Sequence, residues 1–159
     1  MSKTIIGPTD IKKITSDKIF HFIPGIWRIS RKIESKTPYQ NYEIDGYGSF
    51  TLSTDHTNML LYKEKVVIYN PGKNIFNRGN QEYKYVYNVT TSSIYKYFKD
   101  GRLFYELMIL DNTVTGSHVC IQDEYISNYT FGNNQFTLIY DVNGPLKSYK
   151  IITNYLKLS

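Results

Sequence analysis

Ten residues, Gly116-Ser117-His118-Val119-Cys120-Ile121-Gln122-Asp123-Glu124-Tyr125, hold the single cysteine of the chain, one of its three histidines, two carboxylates and a tyrosine. His118 and Cys120 are two apart, so on a strand both side chains leave the same face. Three chemistries fit this spacing. An imidazole beside a thiol favours the thiolate, which makes Cys120 a candidate nucleophile. A His118 oriented by the Asp123 carboxylate is a candidate general acid or base. His118, Cys120 and Asp123 could also share a metal, but His-x-Cys-x-x-Asp offers no fourth ligand and no paired spacing, so neither metal nor cofactor is expected. The structural alternative is a half-buried histidine bonded to backbone beside an inert cysteine.

Short alternating segments must position these groups. Ser16 is a plausible N-cap for a helix of about two turns carrying Ile19, Phe20, Phe22 and Ile23, stopped by Pro24-Gly25. Its apolar face suits a plug for one end of a barrel. From Ile26 the period becomes two, with Trp27, Ile29, Arg31 and Ile33 on one face. Further strands follow over Tyr42–Leu52, Met59–Ile68, Tyr83–Val89, Ile94–Phe98 and Leu103–Leu110. The glycines in Gly46-x-Gly48 mark a bend or bulge. Asp100-Gly101 is a hairpin signal, and Arg102 beside it reads as turn chemistry with a surface salt bridge. A polar loop over Asp111–Ser117 leads into the central stretch, read as one strand ending near Phe131. Phe136–Val142 and Leu146–Leu158 complete eight to nine strands. Such a meander removes its exposed edges by closing. The expected fold is all-β: an antiparallel up-and-down barrel with a short amino-terminal helix, over residues 16–159, after a flexible lead-in over 1–15 that contains Gly7-Pro8.

Composition agrees with one domain. A chain of 159 residues buries about 70% of the surface that its unfolded form exposes. Aromatics make up 16%, with sixteen tyrosines. Their rings suit pleated surfaces and their hydroxyls need partners when buried, which points to a partly polar interior. The net charge of +5 is scattered along the chain, whereas a nucleic-acid footprint would be concentrated, so no nucleic-acid partner is expected. A single cysteine forms no internal disulfide, and no segment approaches the ~20 apolar residues of a membrane span. A cytoplasmic setting without a membrane partner is the expectation, with export by a route lacking a cleaved signal left open. His21 and His56 have no partner pattern and are given no role.

The motif His118-x-Cys120-x-x-Asp123-x-Tyr125-x-x-x-Tyr129-x-Phe131, followed by Gly144-Pro145-x-Lys147-x-Tyr149 and Thr153-x-Tyr155-x-Lys157, resembles the DUF6314 family, a domain of unknown function found in bacteria and fungi. Gly25-x-Trp27-x-x-x-Arg31, Gly46-x-Gly48-x-Phe50, Leu60-x-Tyr62-x-Glu64 and Phe98-x-Asp100-Gly101-Arg102-x-Phe104 match it in the same order. Ser148 departs from the family's usual Asp, and Lys157 from its usual Arg. A short helix before a Gly-x-Trp strand also resembles the calycins, the lipocalin-type and fatty-acid-binding barrels. Bilin lyases of the calycin type share a comparable opening segment of about ten residues. The resemblance implies a barrel without an established activity.

If Trp27 faces the interior, Arg31 does too, four residues on along the strand. A buried guanidinium needs an anionic or carbonyl partner. Asp123 is the natural candidate, and Glu64 is a second inward carboxylate that could serve. Alternation places Asp123, Tyr125, Ser127 and Tyr129 on one face of their strand, and Lys147, Tyr149, Thr153 and Tyr155 on one face of the last. The expected ligand-binding set is therefore Trp27, Arg31, Glu64, Tyr125, Lys147, Tyr149 and Tyr155. Such a lumen suits a small amphipathic or acidic ligand. The alternative is an isomerase- or lyase-type enzyme in the same pocket, using His118 and Asp123 as acid and base or Cys120 as nucleophile. A protein-interaction module with a tyrosine-rich outer face is the third possibility. A polar network that only ties the first and last strands together would line the interior with the same residues. Oligomeric state is not legible in the sequence.

Overall fold

The structure is a computed structural model that describes residues 13–36 and 41–159. The expected lead-in therefore lies outside the described residues, except for positions 13–15. A seven-residue helix, α1 (Ser16–Phe22), precedes ten strands: β1 (Gly25–Ser35), β2 (Tyr42–Leu52), β3 (Met59–Tyr69), β4 (Ile75–Asn88), β5 (Ser93–Phe98), β6 (Leu103–Leu110), β7 (Thr113–Cys120), β8 (Asp123–Gly132), β9 (Gln135–Asn143) and β10 (Ser148–Lys157). Each strand pairs antiparallel with the next, and β10 returns to β1 to close the barrel. Closure leaves no sheet edge among these strands.

The tenth strand comes from the central stretch itself. It is a hairpin, with Cys120 opposite Asp123 across a two-residue turn at Ile121-Gln122. Ile121 adopts φ 60° there, a conformation that a β-branched residue rarely takes, so its sequence carries no turn signal. The preceding loop is also tighter than expected. Asp111 and Asn112, at φ 49° and 67°, form the two-residue turn with paired positive φ that matches strand twist. β4 starts eight residues earlier than the alternation suggests. Its first half, from Ile75 to Asn80, is mostly exposed and so shows no buried-face pattern. The helix cap is Thr15 rather than Ser16: the Lys18 amide donates to the Thr15 hydroxyl, while the Ser16 hydroxyl donates to the Ser92 carbonyl at 2.6 Å.

α1 closes one end. Ile19, Phe20 and Ile23 are buried against the barrel, and Phe20 packs on Tyr87 with ring centroids 5.2 Å apart. Trp27 is fully buried. Its indole N–H donates to the Ile23 carbonyl at 2.8 Å, and its ring meets Phe136 edge-on. The opposite end is ringed by the β3–β4, β5–β6, β7–β8 and β9–β10 turns, and the cavity opens there. Among the described residues, no helix is long and apolar enough to cross a membrane.

Candidate functional site

The alternation of β1 and β3 drives two opposite charges into the barrel. Glu64 is 3% exposed. Its two oxygens accept from the Arg31 guanidinium at 2.8 and 2.7 Å, a bidentate pair. β2 lies between them with glycine at 46 and 48, on the face it shares with Ile44 and Phe50. Gly48 is opposite Glu64 on one side and Trp27 on the other, and a Cβ there would press on the Tyr62 and Ile29 side chains. Arg31 Nε donates to the Thr153 hydroxyl at 2.7 Å. The Tyr62 hydroxyl donates to Glu64 and lies 3.2 Å from that of Tyr155. Burial alone would raise the Glu64 pKa, but the hydrogen bonds and charge of Arg31 outweigh it and leave the carboxyl below its usual range. Burial likewise opposes the charge on Arg31, and Glu64 more than restores it.

The Arg31 partner is therefore Glu64. Asp123, the expected partner, sits at the rim with a carboxylate oxygen 3.2 Å from Lys147 Nζ. Its register explains this: as the first residue of β8 it lies at the mouth, a hairpin turn from Cys120, whereas Arg31 and Glu64 are mid-strand.

A second buried cation was not found by sequence reasoning. Lys96 on β5 is 3% exposed, between inward Ile94 and Phe98. Its Nζ donates to the Tyr140 hydroxyl at 2.8 Å and lies 4.1 Å from the centre of the Tyr83 ring. Tyr140 and Tyr129 both bond the Tyr105 hydroxyl, and Tyr129 meets Tyr85 at 3.2 Å. The result is a chain of four phenols, three buried and Tyr140 partly so, ending on an amine. Burial pushes the Lys96 pKa down to about 7; Glu64 pulls it up and Arg31 adds to the depression. Burial also raises Tyr140, Tyr105, Tyr129 and Tyr85 well above the usual phenol value, so all four stay protonated.

A bulge makes this arrangement possible. Lys96 pairs with Tyr105 and Tyr97 with Leu103, so Phe104 is the extra residue of β6. Consecutive Phe104 and Tyr105 are consequently both buried, where strict alternation would expose one of them. Phe104 stacks on Phe98 at 4.4 Å and parallel to Tyr140. A Cβ at Gly116 would strike the Tyr105 ring, so the glycine that opens the central stretch makes room for that phenol.

Arg31, Glu64 and Lys96 lie in the wall of a cavity of about 520 Å³. Tyr125, Tyr149 and Tyr155 also line it, as do His118, Cys120 and Arg102. His118 packs edge-on against Phe98 and Phe104 and faces Tyr125. Asp123, turned to Lys147, does not orient it. Cys120 is exposed, and no three His, Cys, Asp or Glu side chains among the described residues converge to hold a metal. Trp27, Asp123 and Lys147 are absent from the cavity wall: Trp27 belongs to the plugged end, and the other two form a rim pair with Lys147 about half exposed. The Arg102 guanidinium folds onto Asp100 at 2.8 Å.

The structure of the S-type phycobiliprotein lyase CPES from Guillardia theta superposes on this barrel with a TM-score of 0.71, at 8% identity, over 96% of this chain and 98% of that one. A Schistosoma mansoni fatty acid binding protein in complex with arachidonic acid matches with a TM-score of 0.39, at 14% identity, over 88% and 98%. The first likeness establishes a calycin-like fold. No curated protein matches the chain. The family comparison is decisive where these are not: over residues 23–157 the chain matches the family of unknown function DUF6314, and it belongs to that family.

Proposed function

We propose that the barrel binds a small amphipathic molecule, with its oxygen-bearing, preferably anionic head against Lys96 and its apolar body among the rings. One observation carries this reading. The deep wall of a 520 Å³ cavity holds two cations, Arg31 and Lys96, against one carboxylate, Glu64. Glu64 is held in a bidentate pair by Arg31 and acts on Lys96 only through its field, so the groups that touch the Lys96 ammonium are a neutral hydroxyl and ring faces. An unpaired buried charge is costly, and an incoming anion would relieve that cost. The volume lies within the range of small-molecule sites, which favours a ligand cavity over a solely structural network or an outer-face interaction module. Tyr125, Tyr149 and Tyr155 contribute wall, and His118 flanks the entrance.

The test is displacement of 8-anilinonaphthalene-1-sulfonate by 2-naphthoate and by 2-naphthylmethanol. A charged hydrogen bond is worth roughly 1.5–3 kcal/mol, so the acid should displace the dye about ten- to a hundredfold better than the alcohol. Its advantage should fall as pH rises through about 7 and Lys96 loses its proton. Equal potency of acid and alcohol at every pH would refute the anchoring role of Lys96, and no dye binding at all would refute the cavity reading.

A further inference from the structure

The cavity wall also holds the parts of a carbonyl-capture site. We propose that the barrel captures aldehydes and ketones covalently, as an imine to the Nζ of Lys96. This rests on the reading that the cavity admits a small ligand, and it adds a chemical class and a bond.

The geometry supplies what the condensation needs. Lys96 Nζ reaches the cavity from the middle of β5 and makes no ion pair among the described residues; its polar partner is the Tyr140 hydroxyl at 2.8 Å. With the amine neutral, its lone pair attacks the carbonyl carbon, a C–N bond forms, and the carbonyl π pair moves to oxygen. One N–H proton passes to that oxygen to give the carbinolamine. The nitrogen pair then forms C=N as the hydroxyl leaves with a further proton, and one water is released. No oxidant or reductant takes part. Tyr140 is placed to carry both protons, because its hydroxyl touches Nζ and is bonded to that of Tyr105 at 2.7 Å. Its raised pKa keeps it a donor rather than a phenolate.

The amine form is present where it is needed. An ordinary lysine, with a pKa near 10.4, is about one part in a few thousand amine at pH 7. Lys96, pushed down to about 7, is close to half. The groups facing it are Arg31 from β1, Glu64 from β3, Tyr83 and Tyr85 from β4, Tyr105 from β6 and Tyr140 from β9. Desolvated lysines beside a second cation are the kind that form Schiff bases. Once the imine nitrogen takes a proton from solvent, the Tyr83 face at 4.1 Å and the Tyr85 and Phe104 rings at 5.2 and 5.5 Å would stabilise the resulting iminium as they do the ammonium. Lys96 is itself 3% exposed, which restricts the water that would hydrolyse the product.

The experiment treats the full chain with 2-naphthaldehyde and sodium cyanoborohydride at pH 7, followed by intact mass and peptide mapping, with 2-naphthoate binding measured in parallel. One adduct per chain at Lys96 is expected, lost in Lys96→Met. Labelling should slow about fivefold from pH 7 to pH 6 as the amine fraction falls. Adducts spread over exposed lysines with Lys96 unmodified would overturn the proposal, and mapping the wild-type chain gives that result whether or not the variant folds. If 2-naphthoate binds while Lys96 stays unmodified, imine capture fails and the binding reading stands. If neither probe binds, both fail.

Discussion

Replacing Glu64 by alanine removes what is, among the described residues, the only carboxylate in the cavity wall, and leaves the Arg31 guanidinium with neutral hydroxyl partners, Thr153 and Tyr155. Both groups are withdrawn from water, with side-chain exposures of 11% for Arg31 and 1% for Glu64. Breaking such a pair costs about 3–5 kcal/mol, because the remaining charge is buried and uncompensated. For a chain of this size that corresponds to a fall in Tm of roughly 6–20 °C. Replacing both members by apolar residues is a different perturbation. Arg31→Met with Glu64→Leu leaves no stranded charge and should recover most of the loss. Urea unfolding followed by Trp27 fluorescence gives both values, since the only tryptophan is fully buried beside Phe136. The pH dependence has a definite sign. The folded pKa of Glu64 is lowered from 4.5, so the pair's contribution is fully present above the unfolded value and is lost as pH falls through the folded one. The gap between wild type and Glu64→Ala should therefore narrow in acid. A cost below about 1 kcal/mol, or a double variant no more stable than the single, would refute the reasoning.

Two further outcomes follow from the same barrel interior. Lys96→Met should stabilise the fold at pH 7 by on the order of 4 kcal/mol, from a pKa depression of several units at 1.36 kcal/mol each. Because the folded pKa is lowered to about 7, wild-type stability should rise with pH between 7 and the ordinary lysine range, closing that gap; denaturant midpoints across pH 6–10 check it. Gly116→Ala should cost about 1–3 kcal/mol by overpacking, since its new methyl strikes the Tyr105 ring; thermal unfolding measures this.

Much of the barrel was legible because inward and outward residues alternate wherever a strand has one solvated face. Trp27, Ile29 and Arg31 on β1, and Leu60, Tyr62 and Glu64 on β3, show this directly. The β7–β8 turn was hidden because Ile121 takes a positive φ without a turn-forming residue type. Arg31 and Glu64 were both readable as inward-facing, but their pairing depends on the register of β1 and β3 across β2, which spacing along one strand does not contain. Lys96 obeys period two like its neighbours Ile94 and Phe98. The pattern does not mark it as inward because lysine is ordinarily an outward residue, and the surrounding tyrosines make its inward position tolerable. Phe104 and Tyr105 defeat alternation through a bulge that no glycine announces. The central stretch drew attention through its histidine and cysteine, yet its β7 and β8 tips frame the entrance, and the buried charges lie deeper on β1, β3 and β5.

The most direct measurement is native mass spectrometry of the chain with 2-naphthoate, comparing wild type, Lys96→Met and Ile151→Trp, the last placing a large side chain in the cavity wall. A single bound probe in the wild type, weakened about tenfold or more in Lys96→Met and absent in Ile151→Trp, is the predicted pattern. No bound probe, or equal binding by all three proteins, would contradict a ligand cavity anchored on Lys96.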